Sequence, residues 1–361
     1  MSEFRFVSAS ELRQLAPAEP PWCWQGYLAS GGLTLLAGKP KVGKSTLALA
    51  TAHAFEGRAS AFLGRAIEGG AVVYVSEEGA ATLAQKLSAG EMRVLTRDLA
   101  WPKPDWPALV RGAASEAERV AAKLLVIDTG AYWAGLPPER EKDSGAALAV
   151  VRPLLEAARA GLAVLLVLHQ RKGGGEDGEG VRGSTAFAGS ADVVLELERT
   201  TSPRQRALLA LSRYPQTPGT LVIEHDATTG SWSVVGEGAD RGDARNIADR
   251  RALLAALTAG ASLTRVELEQ EVGSPERQWH GQLEQLIEEG QVRRIGAGRK
   301  GDPYRFEMVR SDSAQTPAQH SRRNGHEPGS VSAAHHVVVQ QKEPSSASNL
   351  EAARCAETGL C

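Results

Sequence analysis

From residue 31 to about residue 236, short apolar runs alternate with stretches of helical periodicity. Leu33–Ala37, Val72–Ser76, Leu124–Asp128 and Val164–His169 are apolar at almost every position and rich in Val and Leu. That is the pattern of strands buried on both faces of a parallel sheet. Ser45–Phe55, Ala80–Ala89, Ser115–Ala122 and Ser144–Ala160 read as the helices between them. Strand and helix in alternation predict an α/β domain. Beyond residue 190, Val193–Glu198, Leu208–Arg213, Leu221–His225 and Ser231–Val235 are strand-like with short turns between them, which predicts a meander extending the sheet.

The flanks read differently. Residues 1–30 are expected to be an irregular lead-in, broken by Pro17, Pro20 and Pro21. Residues 237–244 are expected to be a Gly-rich polar linker. Within 245–309, Ile247–Leu257 and Thr264–Val272 are helical patterns, and Ser274 is placed to cap a third helix with Pro275 at its first position. Trp279, Leu283, Leu286 and Ile287 give that helix one apolar face, and Gly290 ends it. Gln291–Ile295 and Pro303–Phe306 flank a Gly-rich turn. Three helices and a hairpin predict a winged helix. Residues 310–361 are rich in Ser, Ala, Gln and His with little apolar periodicity and are expected to be disordered.

Composition narrows the classes. With 41 Lys and Arg against 43 Asp and Glu, the net charge of -2 argues against histone-like binding of nucleic acid but leaves room for a local basic patch. Cys23, Cys355 and Cys361 have neither disulfide-framework nor zinc spacing. Apolar runs fall short of the roughly 18 residues a membrane span needs, and the N-terminus has no signal-peptide pattern. A cytoplasmic protein without membrane contact is expected.

The chemistry concentrates at strand ends. Gly38-Lys39-Pro40-Lys41-Val42-Gly43-Lys44-Ser45 fits GxxxxGK[ST], between a strand and a helix that starts at Lys44–Thr46. Gly38 and Gly43 permit a tight loop whose amides, with the helix N-terminus, bind phosphate oxygens. Lys44 would reach the β- and γ-phosphates, and Ser45 would ligate Mg²⁺. ATP and Mg²⁺ are the expected cofactors. Asp128 ends an apolar strand where a second magnesium-shell carboxylate belongs. Glu77 and Glu78 end another; one of them could deprotonate the attacking water, and strand alternation allows only one to face it. His169 ends a fourth strand, where it could sense the γ-phosphate.

These strand ends, with Arg182-Gly183-Ser184-Thr185-Ala186-Phe187-Ala188-Gly189-Ser190-Ala191-Asp192, resemble the RecA-type core of the RepA-like family of hexameric replicative helicases, from about Pro21 to Val235. The resemblance implies a RecA-like P-loop ATPase with an appended winged helix, acting on single-stranded DNA as a ring. It implies Glu78, four residues after Tyr74, as the catalytic glutamate. It implies Arg213 as a finger acting on a neighbour's γ-phosphate; the Lys some relatives carry two residues earlier is Leu211 here. It also implies that the loop from Lys172 to Val181 faces a channel, where Arg171, Lys172 and Arg182 would contact DNA phosphates.

In the C-terminal unit, the third helix has Glu276, Glu284, Glu288 and Glu289 against Arg277, too acidic for reading a DNA groove. The hairpin, with Arg293, Arg294, Arg299, Lys300 and Arg305, is better suited to duplex phosphates. Two other functions fit the same motifs: an ATP-gated DNA-binding regulator, and a recombination or repair ATPase without unwinding activity.

Overall fold

The computed structural model describes residues 5–16, 19–135, 143–169, 185–258 and 262–309. In chain order the main elements are β1 (Leu33–Gly38), α1 (Lys44–Glu56), β2 (Ala71–Ser76), β3 (Arg93–Thr96), α2 (Trp106–Arg119), β4 (Ala122–Asp128), α3 (Ser144–Ala158), β5 (Ala163–His169), β6 (Val193–Arg199), β7 (Gln205–Ser212), β8 (Thr220–His225) and β9 (Trp232–Gly238). They are followed by α4 (Arg241–Thr258), β10 (Leu263–Thr264), α5 (Arg265–Val272), α6 (Glu276–Glu288), β11 (Val292–Ile295) and β12 (Arg305–Met308).

β1–β9 form one sheet in the order β9-β8-β7-β6-β1-β5-β4-β2-β3. The six strands from β6 to β3 run parallel, and β7–β9 continue the sheet as an antiparallel meander. Strand residues alternate between two cores. Leu36, Tyr74, Val126 and Val167 pack with Leu47, Ala52 and Phe55 of α1 on one face. Leu35, Val75, Ile127 and Leu166 pack with Leu109 of α2 and Val150 and Leu154 of α3 on the other. This double burial is why the central strands carry continuous apolar runs. It also aligns the C-terminal ends of β1, β2, β4 and β5 along one edge.

Several expectations shift. Among the described residues of the N-terminal lead-in, Ala9–Leu15 is a helix with a capping box between Ser8 and Glu11, and Trp22–Trp24 pairs with Leu28–Ala29. The helix predicted at 115–122 starts at Trp106, because Asp105 caps it by accepting from the Ala108 amide at 2.7 Å and a proline is tolerated in the first turn. The helix predicted at 80–89 ends at Ala84. β3 escapes the apolar-run criterion because it is a short edge strand, buried only at Thr96. Pro275, not Ser274, holds the N-cap position of α6, and the Ser274 carbonyl accepts from Trp279 Nε1 at 2.9 Å instead.

The expected linker is the largest difference. β9 runs to Gly238 and α4 begins at Arg241, so residues 237–244 are part of the fold. Ala244 and Ala248 of α4 are buried against Ala207 and Val222 of the meander. A Cβ at Gly236 would lie 2.9 Å from Ile247 Cγ2, so the glycine is there to let the helix approach the sheet. Beyond it, α5 and α6 with the three-stranded sheet β10-β12-β11 enclose a separate core around Trp279, Leu283, Leu286 and Phe306. Among the described residues, no helix is long and apolar enough to cross a membrane.

Candidate functional site

The loop between β1 and α1 sits at the C-terminal edge of the parallel strands. Its geometry demands its glycines. A Cβ on Gly38 would fall 2.5 Å from the Leu197 carbonyl oxygen, and Gly43 enters α1 with φ of +108°. Lys41 adopts the left-handed region at φ +60°, which tightens the turn of the loop. Pro40 and Thr46 are exposed, whereas Val42 is buried beneath the loop.

Lys44 is 3% exposed. Its Nζ donates to the carbonyls of Gly38 at 2.8 Å and Lys39 at 3.0 Å, so the amine is held in the bowl of the loop. Burial pulls its pKa down to about 8, against the opposing pull of Asp128 and Glu77. A cation held this way, short of counter-charge, is prepared for a polyphosphate.

Asp128, at the end of β4, is also 3% exposed. The Ser45 hydroxyl donates to its Oδ1 at 3.1 Å and the Tyr74 hydroxyl to its Oδ2 at 2.9 Å. Burial raises the carboxyl above its ordinary value, and these two hydrogen bonds oppose that shift. Ser45 and Asp128 together offer hard oxygens of the kind Mg²⁺ takes. Among the described residues, no group of three or more His, Cys, Asp or Glu could hold a metal. An ion here would therefore complete its shell with phosphate oxygens and water, as Mg²⁺ commonly does.

The two glutamates after β2 have different surroundings. Glu77 Oε2 accepts from the Thr129 hydroxyl at 2.6 Å, and His169 Nε2 lies 3.8 Å from Oε1. The His169 ring, with the Thr129 hydroxyl, holds the Glu77 carboxyl below its ordinary range in spite of burial. Glu78 pairs with Lys86 Nζ at 2.6 Å, at the margin of the site. Both carboxylates act electrostatically on Asp128. The fold thus brings Lys44, Ser45, Asp128, Glu77 and His169 together and leaves Glu78 turned to a lysine.

Arg213 does not join them. β6 pairs Val193 with Ser212 on β7 and Leu197 with Gly38 on β1. Ser212 and the loop therefore lie at opposite edges of the sheet, separated along the strand by roughly 13 Å. The exposed Arg213 donates to the Gly189 carbonyl. Arg171, Lys172 and Arg182 lie outside the described residues.

Some site residues carried no recognisable motif. Arg199 Nη2 donates to the Lys41 carbonyl at 2.8 Å and Arg206 Nε to the Val42 carbonyl at 2.7 Å, clamping the loop from β6 and β7. Trp232 of β9 packs 3.7 Å from the Cβ position of Gly43. More than 150 residues separate these side chains from the loop they touch, and only strand pairing joins them. Tyr74 could have been suspected from its place on the strand beside Asp128.

Residues 1–175, a little under half of the chain, match a family model described as an AAA domain. That segment includes the phosphate loop, Glu77, Glu78, Asp128 and His169. Among curated proteins none matches. The ATPase domain of G40P aligns at 14% identity with a TM-score of 0.42, over 56% of this chain and 85% of that one. A KaiC-like protein, PH0186 from Pyrococcus horikoshii OT3, aligns at 18% identity with a TM-score of 0.40, over 58% of this chain and 91% of that one. The matched segment is thus similar to an AAA domain, and it contributes the phosphate loop and five parallel strands to a large, mostly parallel α/β sheet.

Proposed function

We propose that the chain is a RecA-like ATPase that hydrolyses ATP to move along single-stranded DNA, as a helicase of the RepA-like kind working in a ring. The observation that carries this reading is the buried pair of Lys44 and Asp128, joined by the half-buried Ser45, around the glycine-rich loop. Such a set is costly to bury without a charged ligand. Gly38–Ser45 and Thr46 hold the phosphates, and Lys44 neutralises the β- and γ-oxygens. Ser45 and Asp128 hold Mg²⁺, which when bound neutralises charge on the transferred phosphoryl group. A carboxylate at the end of β2 orients and deprotonates water. Glu78 suits this role once it is released from Lys86; Glu77, tied to Thr129 and His169, suits the coupling of that edge to His169.

Arg213 cannot serve its own loop from the opposite edge of the sheet, which favours action on a neighbouring subunit. A guanidinium suits the task because it stays charged and bridges transition-state oxygens. The DNA contacts assigned to Arg171, Lys172 and Arg182 remain part of this proposal, as does the winged-helix reading of residues 245–309. The test is ATP turnover with and without single-stranded DNA, coupled to displacement of a labelled strand from a forked duplex. Stimulated turnover with displacement is expected. Turnover indifferent to DNA, with no strand released, would overturn the motor.

A further inference from the structure

Beyond the phosphate loop, a second cleft of about 550 Å³ opens between the end of β6 and the N-terminal turns of α4 and α6. Arg199, Thr201, Arg241, Arg245, Arg277 and Gln278 line it, together with the carboxylate of Glu198. Four arginines on one cleft is a dense concentration in a chain of net charge -2. They are not equally committed. Arg241 is taken up by Glu196 and Glu198, at 2.7 and 2.8 Å. Arg199, Arg245 and Arg277 are exposed and form no ion pair at contact distance among the described residues, although Arg245 acts electrostatically on the Asp249 carboxylate one turn along α4. Elsewhere in the C-terminal unit, arginines are mostly paired: Arg265 with Glu276, Arg294 with Glu284, Arg305 with Glu267.

Two further observations bear on the occupant. α6 begins without a side-chain cap, and its first-turn residues Arg277 and Gln278 face the cleft. The Gln278 amide is taken by the Pro275 carbonyl at 2.9 Å, so the amides of Glu276 and Arg277 are what the helix start adds to the attraction for an anion. Thr201 donates to Asp249 Oδ1 at 2.6 Å, while the other oxygen of this fully buried carboxylate has no hydrogen-bond partner. Arg277, although exposed, lines this cleft from the first turn of α6, beside Glu276, which pairs with Arg265.

We propose that this cleft is a second phosphate-binding site, taking phosphate groups of a nucleic-acid strand or of a free nucleotide, with Arg245 and Arg277 as its principal contacts. Arg199 joins it to the first site, because the same side chain that lines the cleft holds the Lys41 carbonyl. An occupant of the cleft is thereby one side chain away from the phosphate loop. The preference for a strand rests on the proposed function; the existence of the site does not.

The test uses the full chain carrying Arg245→Glu and Arg277→Glu together, with Arg245→Lys and Arg277→Lys together as the conservative control. Binding of a fluorescein-labelled oligothymidylate is followed by anisotropy at low and moderate salt. Retention of radiolabelled ADP is measured by equilibrium dialysis on Lys44→Ala chains, whose phosphate loop is disabled. If a strand is the ligand, charge reversal weakens oligothymidylate about tenfold or more and flattens the salt dependence, and the lysine pair stays near the parent. If free nucleotide is the ligand, the Lys44→Ala chain keeps an ADP that charge reversal removes; failure of the parent to bind oligothymidylate would then count against the motor but not the site. Equal oligothymidylate binding by parent and charge-reversed chains, with no ADP kept by Lys44→Ala, overturns the site and leaves the motor standing. No binding of either ligand by any chain overturns both.

Discussion

The phosphate-loop edge of the sheet and the β11–β12 hairpin use similar residue types to opposite ends. At the loop, Lys44 is buried against carbonyl oxygens, with no carboxylate near enough to form an ion pair among the described residues. On the hairpin, Arg293 pairs with Glu307, Arg294 with Glu284 and Arg305 with Glu267. A cation without a counter-charge attracts an anion from solution, whereas a paired one is largely neutralised at contact distance. The hairpin arginines, abundant in the sequence, are therefore weaker candidates for DNA contact than their number suggests. Arg299 and Lys300 at the turn form no ion pair among the described residues and keep that possibility for the tip.

This contrast can be broken first at its strong end. Lys44→Ala should lower ATP turnover by at least about a thousandfold, since the charge meeting the γ-phosphate is lost. Normal turnover in that variant would remove the basis for the site. Arg213→Ala should cost a comparable factor, about a thousandfold, although it lies across the sheet from the loop. Mixing it with Lys44→Ala chains should restore part of the activity, because mixed neighbours contain one intact loop facing one intact finger. A mixture as inactive as its components would argue against action between subunits.

The carboxylate pair gives the next largest effect. Glu78→Gln should reduce hydrolysis about a hundredfold or more with ATP binding retained, and Glu77→Gln should do less. The reverse order, read from single-turnover hydrolysis beside nucleotide affinity, would reassign the base to Glu77. Lys86→Ala sharpens the question: by freeing Glu78 it should leave turnover unchanged or raise it.

Proton linkage supplies a smaller effect. Free Lys44 titrates near pH 8, and a bound polyphosphate raises its pKa by favouring the charged amine. Nucleotide affinity should be flat below pH 8 and should fall above it, by up to about tenfold per pH unit, until the raised pKa is reached. Calorimetry in buffers of different ionisation heat should find proton uptake on binding above pH 8 and little below it. The smallest effect belongs to the hairpin. Arg293→Ala or Arg294→Ala should shift the melting temperature by less than about 3 °C and leave duplex-DNA affinity nearly unchanged. A large loss of affinity from either would show that the paired arginines exchange partners on DNA.

Much was legible from the chain because its signals are local. The loop Gly38–Ser45, Asp128, Glu77, Glu78 and His169 each end an apolar run, and double burial made those runs continuous. Parallel strands deliver such ends to one edge, so a list of strand ends is close to a list of the candidate-site residues. The meander was legible for the same reason. The failures were local as well. Asp105 and a first-turn proline start α2 earlier than periodicity suggested, and Gly236, at the edge of the expected linker, is a contact point for Ile247. A glycine that permits close packing and one that loosens a chain look alike in one dimension.

What the sequence by itself determined is a local pattern: a GxxxxGK[ST] loop with a strand before it and a helix after it. Tertiary structure decided the partnerships. Lys86 claims Glu78 while Thr129 and His169 surround Glu77, Arg199 and Arg206 close over a loop more than 150 residues distant, and Arg213 is carried to the far edge of the sheet. The reason is that backbone conformation and burial pattern are written in neighbouring residues, whereas charge pairing depends on which strands become adjacent, and strand order is set by packing of the whole sheet.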